Sequence, residues 1–226
     1  EGADVPDAAV VVAVAAHVAV AGGQQIGDGD AGGVGRTLVG HDNGEDDVIA
    51  DERVEVVDIS LPSHRHPEVA IKALEAGKHV LCEKPLALNA AQARRMIEAA
   101  RTRKLVLMEA LWTRFLPAVL SLREQMAAGA IGEVRLIQAD FGFRADFDPS
   151  SRLFAPGLGG GALLDLGIYP LNLAFMLCGR PQEIHTTANL GSTGVDEESA
   201  ILLGHTGGLA KPPGLAASHA VNVGQG

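Results

Sequence analysis

Residues 54–93 read VEVVDISLPSHRHPEVAIKALEAGKHVLCEKPLALNAAQA. Val54–Leu61 is apolar and β-branched, so it predicts a buried strand, and Pro62-Ser63 breaks it. Pro67 suits the first turn of a helix, where its missing N–H is not needed. That helix runs to about Ala76, and Gly77 supplies the stop. His79–Cys82 is a second short apolar run and a second strand. It ends in the charge pair Glu83-Lys84, followed by Pro85. Ala90–Arg103 then carries Ala93, Met96, Ile97 and Ala100 at helical spacing. Strand and helix alternating through short links is the pattern of a parallel α/β sheet.

Outward from this stretch the pattern continues on both sides. Val10–Ala16 reads as a strand before it, and Leu105–Glu109 as a strand after it. Gly22–Gly44 is rich in glycine and aspartate, with little apolar area to bury, and is expected to be a loop. The second half changes rhythm. Ala118–Ala128 predicts a helix closed by Gly129. Glu133–Phe143 alternates and is long for a buried parallel strand, which suits an antiparallel sheet with one covered face. Gly159-Gly160-Gly161 precedes a long apolar helix with Gly167 and Pro170 inside it. Strand-like pieces follow at Glu183–Asn189 and Glu198–Leu203, and after Gly204 no pattern remains. The expected fold class is α/β, a parallel sheet with helices followed by an α+β domain with a mostly antiparallel sheet. The expected domains are 1–113, irregular over 17–50, and 114–226.

The net charge of −10 argues against a nucleic-acid partner, which needs a basic patch. It argues equally against an anionic membrane surface. The apolar run Ala8–Ala21 is too short to span a bilayer and lacks a basic leader. Cys82 and Cys178 form no CxxC and read as reduced thiols of a cytoplasmic chain.

In an open parallel sheet, ligands bind outside the carboxyl ends of the strands. Three such ends carry polar or breaker residues: Leu61-Pro62-Ser63, Glu83-Lys84-Pro85 and Glu109. Lys84 then faces whatever the crevice holds. The plain alternative is a solvated lysine paired with Glu83. His64 and His66 could suggest metal, but no Cys, Asp or Glu spacing supports a site, so no metal is expected.

The whole run 54–93 resembles the Gfo/Idh/MocA oxidoreductases, as do MEALWTRFLP at 108–117, IGEVRLIQADFGFR at 131–144 and GGGALLDLGIYPLN at 159–172. The resemblance is nearest to the branch of dihydrodiol and NADP-linked xylose dehydrogenases, and it covers about residues 54–203. It implies a Rossmann-type cofactor domain, NADP or NAD, and a sugar or diol substrate. It places Lys84, Asp165 and Tyr169 in the catalytic roles. Leu61, Pro62, His66, Glu83, Lys84 and Arg114 fall at the cofactor, and Trp112 and Tyr169 at the substrate. Tyr169 becomes the general acid/base. A free tyrosine, with pKa about 10, is a poor base near neutral pH, and a nearby ammonium from Lys84 favours its phenolate. A family-like homo-oligomer is also implied.

Other features depart from the family pattern. The family opens with a strand and a GxGxxG turn that cradles the pyrophosphate. Here EGADVPDAAVVVAVAA resembles the family's second strand. Gly27–Gly32 fits GxGxxG in letters, but it lies too far past Val10–Ala16 and places two aspartates where a phosphate would sit. His17-Val18-Ala19 stands where the NADP branch has Arg or Ser. The expectation is a family member without its two ends, keeping the catalytic edge while holding a dinucleotide weakly. Two functional readings therefore stand at this point. One is an NAD(P)-dependent oxidoreductase of a sugar or diol. The other is an inactive or non-catalytic remnant that binds a small ligand or a subunit.

Overall fold

Four short apolar runs build one sheet: β1 (Val11–Ala15), β2 (Val56–Ser60), β3 (His79–Cys82) and β4 (Leu107–Glu109). They lie in that order and every neighbouring pair is parallel, with Ile59 beside Cys82 and Cys82 beside Glu109. This is a computed structural model, and it describes residues 11–15, 44–132, 134, 136–205 and 217–224. The chain divides into two compact units, Glu1–Ala110 and Leu111–Gly226. The expectations for 17–43, including most of the glycine-rich stretch and the Gly27–Gly32 letters, lie outside the described residues.

In the first unit the helices are α1 (Gly44–Ala50), α2 (His66–Glu75) and α3 (Ala90–Arg103). Pro67 sits in the first turn of α2, and Gly77, at φ +83°, follows its end. Asn89 starts α3: its side-chain oxygen accepts the Gln92 N–H, while the Gln92 side chain accepts from Leu88. Such reciprocal capping satisfies N–H groups that a helix start leaves without partners. Val57, Ile59, Val80 and Cys82 turn inward and pack with Val69, Leu74 and Met96 in one core. The expectation of irregular chain over 17–50 is corrected for its last residues. Residues 44–50 are helical because Val48 and Ile49 enter that core, and because Glu45 and Asp46 pair with Arg65 and Lys72 of the next elements.

The second unit contains α4 (Pro117–Ala127), β5 (Leu136–Gly142), α5 (Ile168–Cys178), β6 (Glu183–Leu190), β7 (Asp196–His205) and β8 (Ala217–Gly224). The sheet order is β5-β8-β7-β6. β7 is antiparallel to both neighbours, but β5 and β8 run parallel. Two expectations are corrected here. Leu136–Gly142, within the stretch read as antiparallel, pairs in parallel with β8, although Ile137 and Ala139 lie on a partly covered side as alternation implies. The chain after Gly204 is not patternless, because β8 forms by pairing along both edges.

The apolar stretch Pro156–Cys178 is long enough by length and composition to cross a bilayer. In this fold it is not one straight helix. Leu163–Gly167 forms a π-helical turn, and α5 starts at Ile168. Pro170 accounts for the break, since it lacks an N–H and its ring crowds the carbonyl four residues back, at Leu166. Ala162, Leu166 and Ala174 pack against Ile201 and Leu203 of β7, so part of this stretch is a core element.

Candidate active site

The carboxyl edge of the parallel sheet is built from three strand ends. The last rungs are Glu83 N–H to Ile59 O at 2.9 Å and Ala110 N–H to Cys82 O at 2.7 Å. Beyond them the chain turns through Lys84-Pro85, whose peptide is cis. Lys84 is half-buried, and its own N–H donates to the Glu83 carboxylate at 3.1 Å. The Leu86 N–H donates to Glu109 Oε1 at 2.7 Å. His66 is 1% exposed. Its Nδ1 lies 2.9 Å from the Pro85 carbonyl and its Nε2 2.8 Å from the Leu61 carbonyl. The ring assigned to the cofactor by resemblance is therefore turned into the protein, between two backbone carbonyls, and a neutral imidazole donates to one of them.

Carboxylates crowd this edge. Burial raises the Cys82 thiol well above its usual range, and the nearby charges of Glu109, Glu83 and Asp58 add to the shift. Burial first, then Glu83, raises the Asp58 carboxyl. A raised acid keeps its proton in the folded state at a pH where the unfolded chain has lost it. Asp58 thus costs stability above an unfolded pKa of about 3.9 and costs nothing below it. Asp58→Asn is expected to raise the urea midpoint at about pH 7 and to leave it unchanged at about pH 3. Equal midpoints at both pH values would contradict this account. The same carboxylates bear on a dinucleotide. They disfavour a pyrophosphate at this edge and tolerate a cationic group there.

In the second unit the π-turn and α5 set Asp165 and Tyr169 within one turn of each other. Tyr169 lies in the wall of a cavity of about 300 Å³, together with Trp112, Arg114, Asp140, Phe141 and Asn172. Its ring stands edge-on to Trp112 (centroids 6.0 Å apart) and to Phe141 (5.4 Å). The Trp112 indole N–H donates to the Tyr169 oxygen at 3.3 Å. Indole is a donor only, so this contact uses an oxygen lone pair and leaves the phenolic proton to be turned elsewhere. Asp165 does not line the cavity; it pairs with Arg152 at 3.0 Å. Trp112, Arg114 and Tyr169 share this cavity wall in the second unit, and Lys84 belongs to the first.

Sequence reading missed Phe141, Arg152 and Asp196. The Asp196 carboxylate accepts the Leu163 N–H at 2.7 Å and the Ser199 hydroxyl at 2.9 Å, which holds the start of the π-turn. None of the three carries a spacing signal, since each reaches the site from a distant element. Asp196→Ala should destabilise the protein by about 0.5–2 kcal/mol, the scale of a lost helix cap, read as a lower urea midpoint. Among the described residues no group of three or more His, Cys, Asp or Glu side chains could hold a metal.

The chain thus has two parts, a parallel sheet with helices and an antiparallel-rich sheet whose unit carries the Tyr169 cavity. Residues 38–111 match the model of an oxidoreductase family with an NAD-binding Rossmann fold, and residues 119–211 match the GFO/IDH/MocA C-terminal domain. The chain is 41% identical over 172 residues to D-xylose 1-dehydrogenase (NADP(+)) of Hypocrea jecorina, covering 69% of this chain and 44% of that protein. It is 42% identical over 166 residues to trans-1,2-dihydrobenzene-1,2-diol dehydrogenase of Sus scrofa, covering 73% of this chain and 49% of that protein. Among solved structures, aldose-aldose oxidoreductase from Caulobacter crescentus complexed with glycerol superposes with a TM-score of 0.72 at 28% identity, covering 81% of this chain and 54% of that one. Levoglucosan dehydrogenase with NADH and levoglucosan gives a TM-score of 0.71 at 29% identity, covering 79% and 50%. This chain belongs to the Gfo/Idh/MocA oxidoreductase family. It spans about half the length of the curated relatives it matches.

Proposed function

We propose that the chain carries the chemistry of an NAD(P)-dependent dehydrogenase of a sugar or cyclic diol, with Tyr169 as general acid/base and Lys84 as its supporting cation. The observation that carries this reading is Tyr169 in the wall of the 300 Å³ cavity, its oxygen receiving the Trp112 N–H. That volume sits at the low end of small-ligand sites and favours a substrate with a single ring. The aromatic faces of Trp112 and Phe141 offer area to the apolar side of such a ring, and Asp140 and Asn172 can bind its hydroxyls. A bound nicotinamide supplies the hydride acceptor for oxidation or the donor for reduction. During oxidation the Tyr169 oxygen takes the proton of the reacting hydroxyl; during reduction it returns one. The Trp112 N–H donates to that same oxygen and orients it. Asp165, held by Arg152, supplies a fixed negative charge one turn from Tyr169.

The relatives' names point to aldoses and trans-diols as substrate classes. NADP(+) stands in the name of one relative and NADH in the complex of the other, so both cofactors belong in the trial. Exposed Leu136, Leu190 and Leu202 on the second sheet offer apolar area to a second copy of the chain. The test is nicotinamide absorbance with either cofactor against aldopentoses, aldohexoses and cyclic trans-diols. Turnover should appear with at least one of these substrates, and Lys84→Ala should lower kcat by about 10²-fold. Turnover equal in wild type and Lys84→Ala would remove the lysine from the reaction.

A further inference from the structure

We propose that His66 and Glu109 are positioning residues that clamp the Lys84 turn from both sides, by holding the Pro85 carbonyl and the Leu86 N–H. The inference rests on the reading of Lys84 as the active-site cation. The sheet cannot hold this turn by itself. Its last rungs end at Glu83 on one side and Cys82 on the other, and Pro85 has no N–H to add another. Past Pro85 the peptide offers the Pro85 carbonyl and the Leu86 N–H, and each is met by a side chain. His66, from the start of α2, lies 2.9 Å from the first and reaches back 2.8 Å to Leu61 after β2. Glu109, from the end of β4, accepts the second at 2.7 Å. A carboxylate acceptor makes that bond stronger than an amide pair would be.

With its proton on Nδ1, His66 donates to the Pro85 carbonyl, while Glu109 accepts from Leu86 at the other end of the same peptide unit. Together these side chains, from α2 and from the end of β4, fix the backbone immediately after Lys84. A long lysine side chain has many rotamers, so a fixed root limits where its ammonium can reach. The plain alternative is that these bonds satisfy buried polar groups and do no more. The two accounts differ in what happens when Lys84 is gone.

The test uses the full-length enzyme with Lys84→Ala, Glu109→Ala and Glu109→Gln, the double variant Lys84→Ala/Glu109→Ala, and His66→Phe. Glu109→Ala and His66→Phe should each lower kcat by up to about 10²-fold, the cost of a misplaced group. Glu109→Gln keeps an oxygen for Leu86 and should restore most of the loss. In the Lys84→Ala background, Glu109→Ala should cause no further loss, because its effect runs through the lysine. Independently of turnover, hydrogen exchange at Leu86 should quicken in Glu109→Ala while Val80 and Cys82 stay protected. An unchanged kcat in Glu109→Ala, an equal loss in the Lys84→Ala background, or unchanged exchange at Leu86 would each overturn the clamp. Wild-type turnover in Lys84→Ala would overturn the reading it rests on, and the Leu86 exchange would still judge the clamp itself.

Discussion

Tyr169→Phe is expected to lower kcat by about 10²- to 10⁴-fold, the range set by loss of a general acid/base, while the folded state is unchanged. The substitution removes one oxygen and keeps the ring that packs edge-on to Trp112 and Phe141. The Trp112 N–H loses its acceptor, but Trp112 is 55% exposed, so water can replace it. KM should move little, because the wall of the cavity keeps its shape. Thermal unfolding and steady-state kinetics on the same preparation separate the two effects. A Tyr169→Phe protein that turns over within a few-fold of wild type would take the proton-transfer role from this residue.

Ile59→Ala should destabilise the first unit by about 2–5 kcal/mol, the usual cost of truncating a fully buried aliphatic side chain. Ile59 is 0% exposed, sits in β2 between β1 and β3, and packs into the core shared with α2 and α3. A domain has only about 5–15 kcal/mol in total, so this one change removes a large part of it. Urea denaturation should show a lower midpoint at unchanged slope. The carbonyl of Ile59 itself accepts the Glu83 N–H, so the same variant should loosen the strand end beneath Lys84. A loss below about 1 kcal/mol would mean that the site collapses around the cavity or that the core lies elsewhere.

Some of this molecule was legible from residues alone. β3 and α3 appear at the expected bounds because HVLC is a clean apolar run, and because Asn89 and Gln92 mark a helix start that needs no tertiary context. Lys84 stands out as a charge at a strand end, whereas Tyr169 enters only through the resemblance carried by DLGIY. β8 could not be seen. Apart from Val221 and Val223, Ala217–Gly224 holds Ala, Ser, His, Asn and Gly, which have little strand preference of their own, and the strand exists by pairing with β5 and β7 on either side. The direction of β5 was hidden for the same reason, since alternation reports a covered face and not which way the neighbour runs. Helix α1 was masked by the glycines before it, although Val48 and Ile49 are an apolar pair. His66 shows the limit within the site: a histidine at a helix start carries no sign in sequence that both ring nitrogens will meet backbone carbonyls from two different loops.

The central claim is that this chain moves a hydride from a substrate carbon while Tyr169 handles the proton. The most direct measurement uses a substrate deuterated at the carbon that bears the reacting hydroxyl, with the nicotinamide product analysed by mass after turnover by the full-length protein. The account predicts one deuterium in the reduced cofactor for wild type, and the same label accumulating at least about 10²-fold more slowly for Tyr169→Phe. Turnover that leaves the cofactor unlabelled, or label arriving at the wild-type rate in Tyr169→Phe, would contradict it.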